Sequence, residues 1–144
     1  MRKYNVMMVD DDTFTNELAS MVINWSSYSS HFCVRERADK ALEELQELYE
    51  NKSEKFPDFI LLDLKMPEIH GFDLIRRFEA SFPLRKNRTH FIITTSSILH
   101  KDKQEAFSFN SVVDYIVKPI PGDYIENLIS KGFRHEKQLN GYKQ

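Results

Sequence analysis

The chain is 144 residues long, 41% hydrophobic and 29% charged, which suits one domain around one core in the globular class. A formal net charge of −2 argues against a nucleic-acid partner held by bulk electrostatics, and a lone cysteine, Cys33, excludes an internal disulfide and fits a reducing compartment. No apolar run is long enough to cross a bilayer, so no signal peptide or membrane partner is expected and a cytoplasmic location follows.

Residues 4–9 read as a buried strand, because 6–9 are continuously apolar. Phe14, Leu18, Met21, Val22 and Trp25 then recur at helical spacing and share one side. Residues 31–36 give a second strand, and 38–50 a helix through Ala41, Leu42, Leu45 and Leu48. After a polar loop over 51–57, residues 58–62 form the most apolar strand. The next helix starts after Gly71 and carries Phe72, Leu74, Ile75 and Phe78; Pro83 closes that segment, and a basic loop covers 84–88, read as a solvated face. A fourth strand spans 90–95, a short helix about 101–108, and a fifth strand 112–117. Pro121 suits the first turn of a last helix whose inner face is Tyr124, Ile125, Leu128 and Ile129. The chain divides into a domain over 1–131 and a polar C-terminal tail over 132–144. Five strands alternating strictly with helices predict an α/β fold: a parallel sheet doubly wound with helices on both faces.

The polar residues that carry chemistry sit where strands end, the edge at which open parallel sheets bind ligands. Asp10-Asp11-Asp12 precedes a helix, and taken alone helix capping explains it best, with Asp12 or Thr13 as the cap. Two further carboxylates beside a buried strand repel each other and are costly to desolvate; a cation such as Mg²⁺, which takes oxygen ligands and keeps several waters, relieves both problems. Asp63 ends the third strand, either as a turn aspartate or as a phosphoryl acceptor whose carboxylate attacks phosphorus in line. The Pro- and Gly-punctuated loop over 65–71 favours the second reading, since it holds the carboxylate at the sheet edge. Thr94-Thr95-Ser96-Ser97 offers four hydroxyls, and the residues alone leave open which one points inward. Lys118 is a surface lysine by default. Placed at the end of an apolar strand, its ammonium can meet the carboxylates as a point charge, and its bond to Pro119 is a candidate cis peptide.

With these motifs in order, the chain resembles the receiver domain of two-component response regulators over about 4–130. The resemblance is carried by Val9-Asp10-Asp11, by the stretch 57–67 around Asp63 with Gly71, and by Asp114-Tyr115-Ile116-Val117-Lys118-Pro119. It implies a flavodoxin-like five-stranded sheet in the order 2-1-3-4-5, and a domain that is not an enzyme beyond catalysing its own phosphorylation and dephosphorylation. Asp63 would accept a phosphoryl group from a histidine kinase or a histidine phosphotransfer protein. Asp10, Asp11 and Asp63 would hold Mg²⁺ with the backbone carbonyl of Lys65. Ser96, chosen over Thr95 by its separation from Lys118, would hydrogen-bond the phosphoryl group, and Lys118 would pair with it. Tyr115 would be an aromatic switch that swings inward when the hydroxyl residue moves, altering the surface of the last two helices and the strand between them. With no effector domain, output would pass to an unknown downstream protein by contact or onward phosphotransfer. Departures from the family pattern are Ser111-Val112-Val113, where Gly-Ala is common, and His70, where an acid or amide is common; His70 is expected to be a solvated loop residue.

Three rivals are weaker. A phosphohydrolase of the haloacid dehalogenase type needs a second acid two residues after its nucleophile, where this chain has Lys65. A nucleotide-binding domain needs a Gly-rich phosphate loop, and the chain has only four glycines. A receiver-like module that binds a protein without being phosphorylated leaves the acidic set unexplained.

Overall fold

The computed structural model describes residues 2–133. Of the expected tail over 132–144, residues 134–144 lie outside the described residues. In chain order the elements are β1 (Val6–Val9), α1 (Thr13–Asn24), β2 (Phe32–Arg35), α2 (Ala38–Glu50), β3 (Phe59–Leu62), α3 (Gly71–Ser81), β4 (His90–Thr95), α4 (His100–Ser108), β5 (Val112–Val117) and α5 (Tyr124–Lys131), with short 3₁₀ turns at Ser29–His31 and Pro83–Arg85. The five strands are all parallel, in the order β2-β1-β3-β4-β5.

Alternation along each strand builds two cores. Met7, Val9, Ile60 and Leu62 face α2 and α3, where Ala41, Leu45, Leu74 and Phe78 meet them. Val6, Met8, Phe59 and Leu61 face α1 and α5, against Ile23, Leu128 and Ile129. Burial on both faces is why β1 and β3 read as unbroken apolar runs. Each fully buried Leu or Ile in these layers contributes about 1.5–3 kcal/mol.

Register places the chemistry. Val9 pairs with both Arg35 and Leu62, so Asp10 and Asp63 emerge side by side one residue later. Thr95 pairs with Val117, which brings Ser96 and Lys118 together at the same edge. The Lys118–Pro119 bond is cis. Gly71 has a steric reason: a Cβ there would lie 2.9 Å from Leu64 Cα and 3.0 Å from the Asp63 carbonyl oxygen.

Four readings change. The side of α1 that carries Phe14, Leu18, Met21 and Trp25 faces solvent, with Phe14 68% and Trp25 82% exposed; Asn16, Ala19 and Ile23 are the buried residues. Pro121 precedes α5 rather than opening it, its carbonyl accepting the Tyr124 N–H. Arg85 leaves the basic loop and turns inward, stacking over Phe56 and donating to the Pro57 carbonyl, because Asp58 stands 3.7 Å away. His70 is exposed but structured: it is the N-cap of α3, its Nδ1 accepting the Phe72 N–H. Among the described residues, no helix is long and apolar enough to cross a membrane.

Candidate functional site

The loops after β1, β3 and β5 bring an amine and three carboxylates to one rim. Asp10 is fully buried and Asp63 nearly so, whereas Asp11 is exposed. Carboxylate oxygens of Asp10, Asp11 and Asp63 all lie within 4.8 Å of one another. Lys118 Nζ sits 2.7 Å from Asp10 Oδ2 and 3.6 Å from Asp63 Oδ2.

Three acids and one amine leave excess negative charge, and the titration of Asp63 registers it. Burial first, and the Asp10 charge second, push its carboxyl up to about 6, with Lys118 pulling the other way. Burial also works against the charge on Lys118. Its contact with Asp10 and the charges of Asp10 and Asp63 outweigh that, leaving the ammonium above the usual lysine range. A divalent cation fits this donor set: it needs oxygen ligands and relieves the repulsion that raises Asp63.

Each acid is held by its own local device. Asp12 caps α1, with Oδ1 accepting the Phe14 N–H at 3.2 Å and Oδ2 the Thr15 hydroxyl at 2.6 Å. The Thr15 bond is the main reason its carboxyl titrates below the usual range. Asp10 Oδ1 accepts the Asp12 N–H at 2.9 Å. Asn16, buried on α1, donates Nδ2 to the Asp10 carbonyl at 2.7 Å. Sequence reasoning missed Asn16, since a lone polar residue on an amphipathic helix reads as part of the wet face. The Lys65 N–H approaches Asp63 Oδ1 at 3.4 Å, so the loop turns back over the acid and keeps the Lys65 backbone at the site.

Among the four hydroxyls, Thr94 and Thr95 are buried, and Thr95 Oγ1 accepts the Ser97 N–H. Ser97 donates to Asp102 and accepts from the Leu99 N–H, building the entry to α4. Ser96 is exposed and lines the same cavity as Lys118. Tyr115 is buried, its hydroxyl donating to the Ser97 carbonyl at 3.0 Å. Beside the rim, an apolar cavity of about 500 Å³ runs between α1 and the segment before α5, lined by Leu18, Val22, Ile120 and Ile125, with Ser96 and Lys118 at its border.

The response regulator receiver domain family matches residues 6–130. The chain is 28% identical over 125 residues to the two-component response regulator ORR1 of Oryza sativa subsp. japonica, covering 85% of this chain and 52% of that protein. It is 26% identical over 139 residues to hybrid signal transduction histidine kinase L of Dictyostelium discoideum, covering 94% of this chain and 8% of that one. The chain thus spans about half the length of the first relative and a small part of the second. Among solved structures, a two-component response regulator from Cytophaga hutchinsonii superposes with a TM-score of 0.78 at 27% identity, covering 92% of this chain and 98% of that one.

Proposed function

The chain belongs to the response regulator receiver domain family, and on that premise we propose that it accepts a phosphoryl group on Asp63 and signals through the change that follows. The donor is the phosphohistidine of a histidine kinase or histidine phosphotransfer protein. An Asp63 carboxylate oxygen forms the new O–P bond, the donor's N–P bond breaks, and the imidazole leaves with the electron pair. Lys118, drawn to Asp10 and Asp63, pairs with a phosphoryl oxygen once one arrives, and the Ser96 hydroxyl donates to another. Asp10, Asp11, Asp63 and the Lys65 carbonyl are the groups that would hold Mg²⁺. Bound Mg²⁺ supplies the charge neutralisation that lets an anion attack an anion.

The observation that carries this reading is the meeting of Asp10, Asp63 and Lys118 within ion-pair reach from the ends of separate strands. The apolar cavity bordering Ser96 and Lys118 supports a protein donor, because such a donor needs a surface to grip beside the acid it must reach. Activity is confined to the domain's own phosphorylation and dephosphorylation, and output passes to a downstream protein.

Incubation with acetyl phosphate, with and without Mg²⁺, followed by intact-mass measurement, tests the proposal. Wild type should gain one phosphoryl group only when Mg²⁺ is present, and Asp63→Asn none. An inert wild type would favour a protein-binding module that is never phosphorylated.

A further inference from the structure

Helix α2 lacks a cap of its own. Its N-cap residue, Arg37, offers no side-chain acceptor to the helix N–H groups, its guanidinium donating instead to the Asp39 carboxylate. The Lys40 N–H is taken by Asp39 Oδ1, but the Ala38 N–H is met from elsewhere: Glu68 Oε1 accepts it at 3.1 Å. Glu68 stands at the tip of the loop that leaves Asp63, thirty positions along the chain from Ala38. A carboxylate is the preferred partner for free amides at a helix N-terminus.

The same loop is fastened at its other end to the acceptor. Lys65 N–H approaches Asp63 Oδ1, and the Gly71 N–H bonds the Leu64 carbonyl at 2.8 Å. Met66 and Ile69 anchor it from below, both buried in the core that α2 shares. Glu68 lies outside the Asp10, Asp11 and Asp63 cluster, so it acts on that cluster only through the backbone between them.

We infer that Glu68 is a positioning residue for the cation site: by tying the loop tip to α2, it fixes the backbone around Lys65 in the geometry the cation needs. The inference rests on the Mg²⁺ reading above. A tether that favours the cation must in turn be favoured by it, since coupling between two sites is reciprocal. Mg²⁺ therefore tightens the first turn of α2, although the ion pairs of Lys118 run to Asp10 and Asp63 and not to that helix.

The test is a Mg²⁺ titration of the full chain followed by amide chemical shifts, with hydrogen exchange at Ala38 read in the same samples. Glu68→Gln keeps an oxygen for the Ala38 N–H and should bind Mg²⁺ like wild type. Glu68→Asp keeps the charge but withdraws the oxygen, and Glu68→Ala removes both. Each of these should weaken Mg²⁺ binding about fivefold, less than the ~10–100-fold typical for partners that touch a ligating side chain. Mg²⁺ should slow exchange at Ala38 in wild type and Glu68→Gln, and not in Glu68→Asp or Glu68→Ala. Should Glu68→Ala fail to fold, the contrast between Glu68→Asp and Glu68→Gln decides the matter alone. Equal Mg²⁺ affinity in wild type and Glu68→Asp overturns the inference and leaves phosphorylation of Asp63 standing. A wild-type chain that binds no Mg²⁺ overturns both.

Discussion

Asp63 is ionised at neutral pH against the preference of its surroundings, and this has a measurable consequence. Its folded pKa, about 6, lies above the ordinary 3.8, so the protonated acid favours the fold. That contribution is present below pH about 4 and is lost as pH rises through about 6. At 1.36 kcal/mol per pKa unit, Asp63→Asn should stabilise the Mg²⁺-free protein by about 3 kcal/mol at pH 8, and by progressively less as pH falls toward 4. Urea unfolding across that range checks it; a gain that grows with acidity would reverse the sign. The neighbouring acids differ in kind. Asp12→Ala removes a cap, so it should cost about 1 kcal/mol of stability and leave Mg²⁺ binding intact. Asp10→Ala should abolish Mg²⁺ binding, and calorimetric titration of the two variants separates the roles. Residue types and spacing make Asp10, Asp11, Asp63 and Lys118 legible in the sequence, because each follows an apolar run. Asn16 and Glu68 are not legible, since each acts through a backbone group that only the folded chain brings near.

At the scale of elements, α2, α3 and α5 bury the apolar faces their periodicity marks. Helix α1 does not. Ala19 and Ile23 suffice against the sheet and α5, and the bulkier Phe14, Leu18, Met21 and Trp25 are left outside. Periodicity finds an apolar face but cannot say whether its own domain or another molecule covers it. If that face serves the phosphodonor, Leu18→Ser and Trp25→Ser should change stability by only about 0.5 kcal/mol, as exposed substitutions do. Both should slow phosphotransfer from a protein donor while leaving acetyl phosphate labelling unchanged. Parallel rate measurements with the two donor types check this, and equal slowing with both would assign the residues to the chemistry instead. On the output side, Tyr115 is the proposed aromatic switch. Its ring is buried and its hydroxyl donates to the Ser97 carbonyl, one residue after Ser96, so the two proposed switch residues are linked through the backbone.

Across the whole molecule, function follows from register. The strand order 2-1-3-4-5 places β1 beside β3 and β5 beyond β4, and Asp10, Asp63 and Lys118 meet because each lies one residue past a paired position. Strict alternation of apolar runs and amphipathic helices makes that architecture readable from the chain, and buried strands on both faces make its centre unmistakable. The central claim is that one acid at this rim is the phosphoryl acceptor. Reductive trapping tests it most directly: borohydride converts an aspartyl phosphate to homoserine, which peptide mapping locates. After treatment with a phosphodonor and Mg²⁺, homoserine should appear at position 63 alone, and disappear when Lys118 is replaced by Ala or Mg²⁺ is withheld. Homoserine at Asp10 or Asp11, or none anywhere in a chain that binds Mg²⁺, would contradict it.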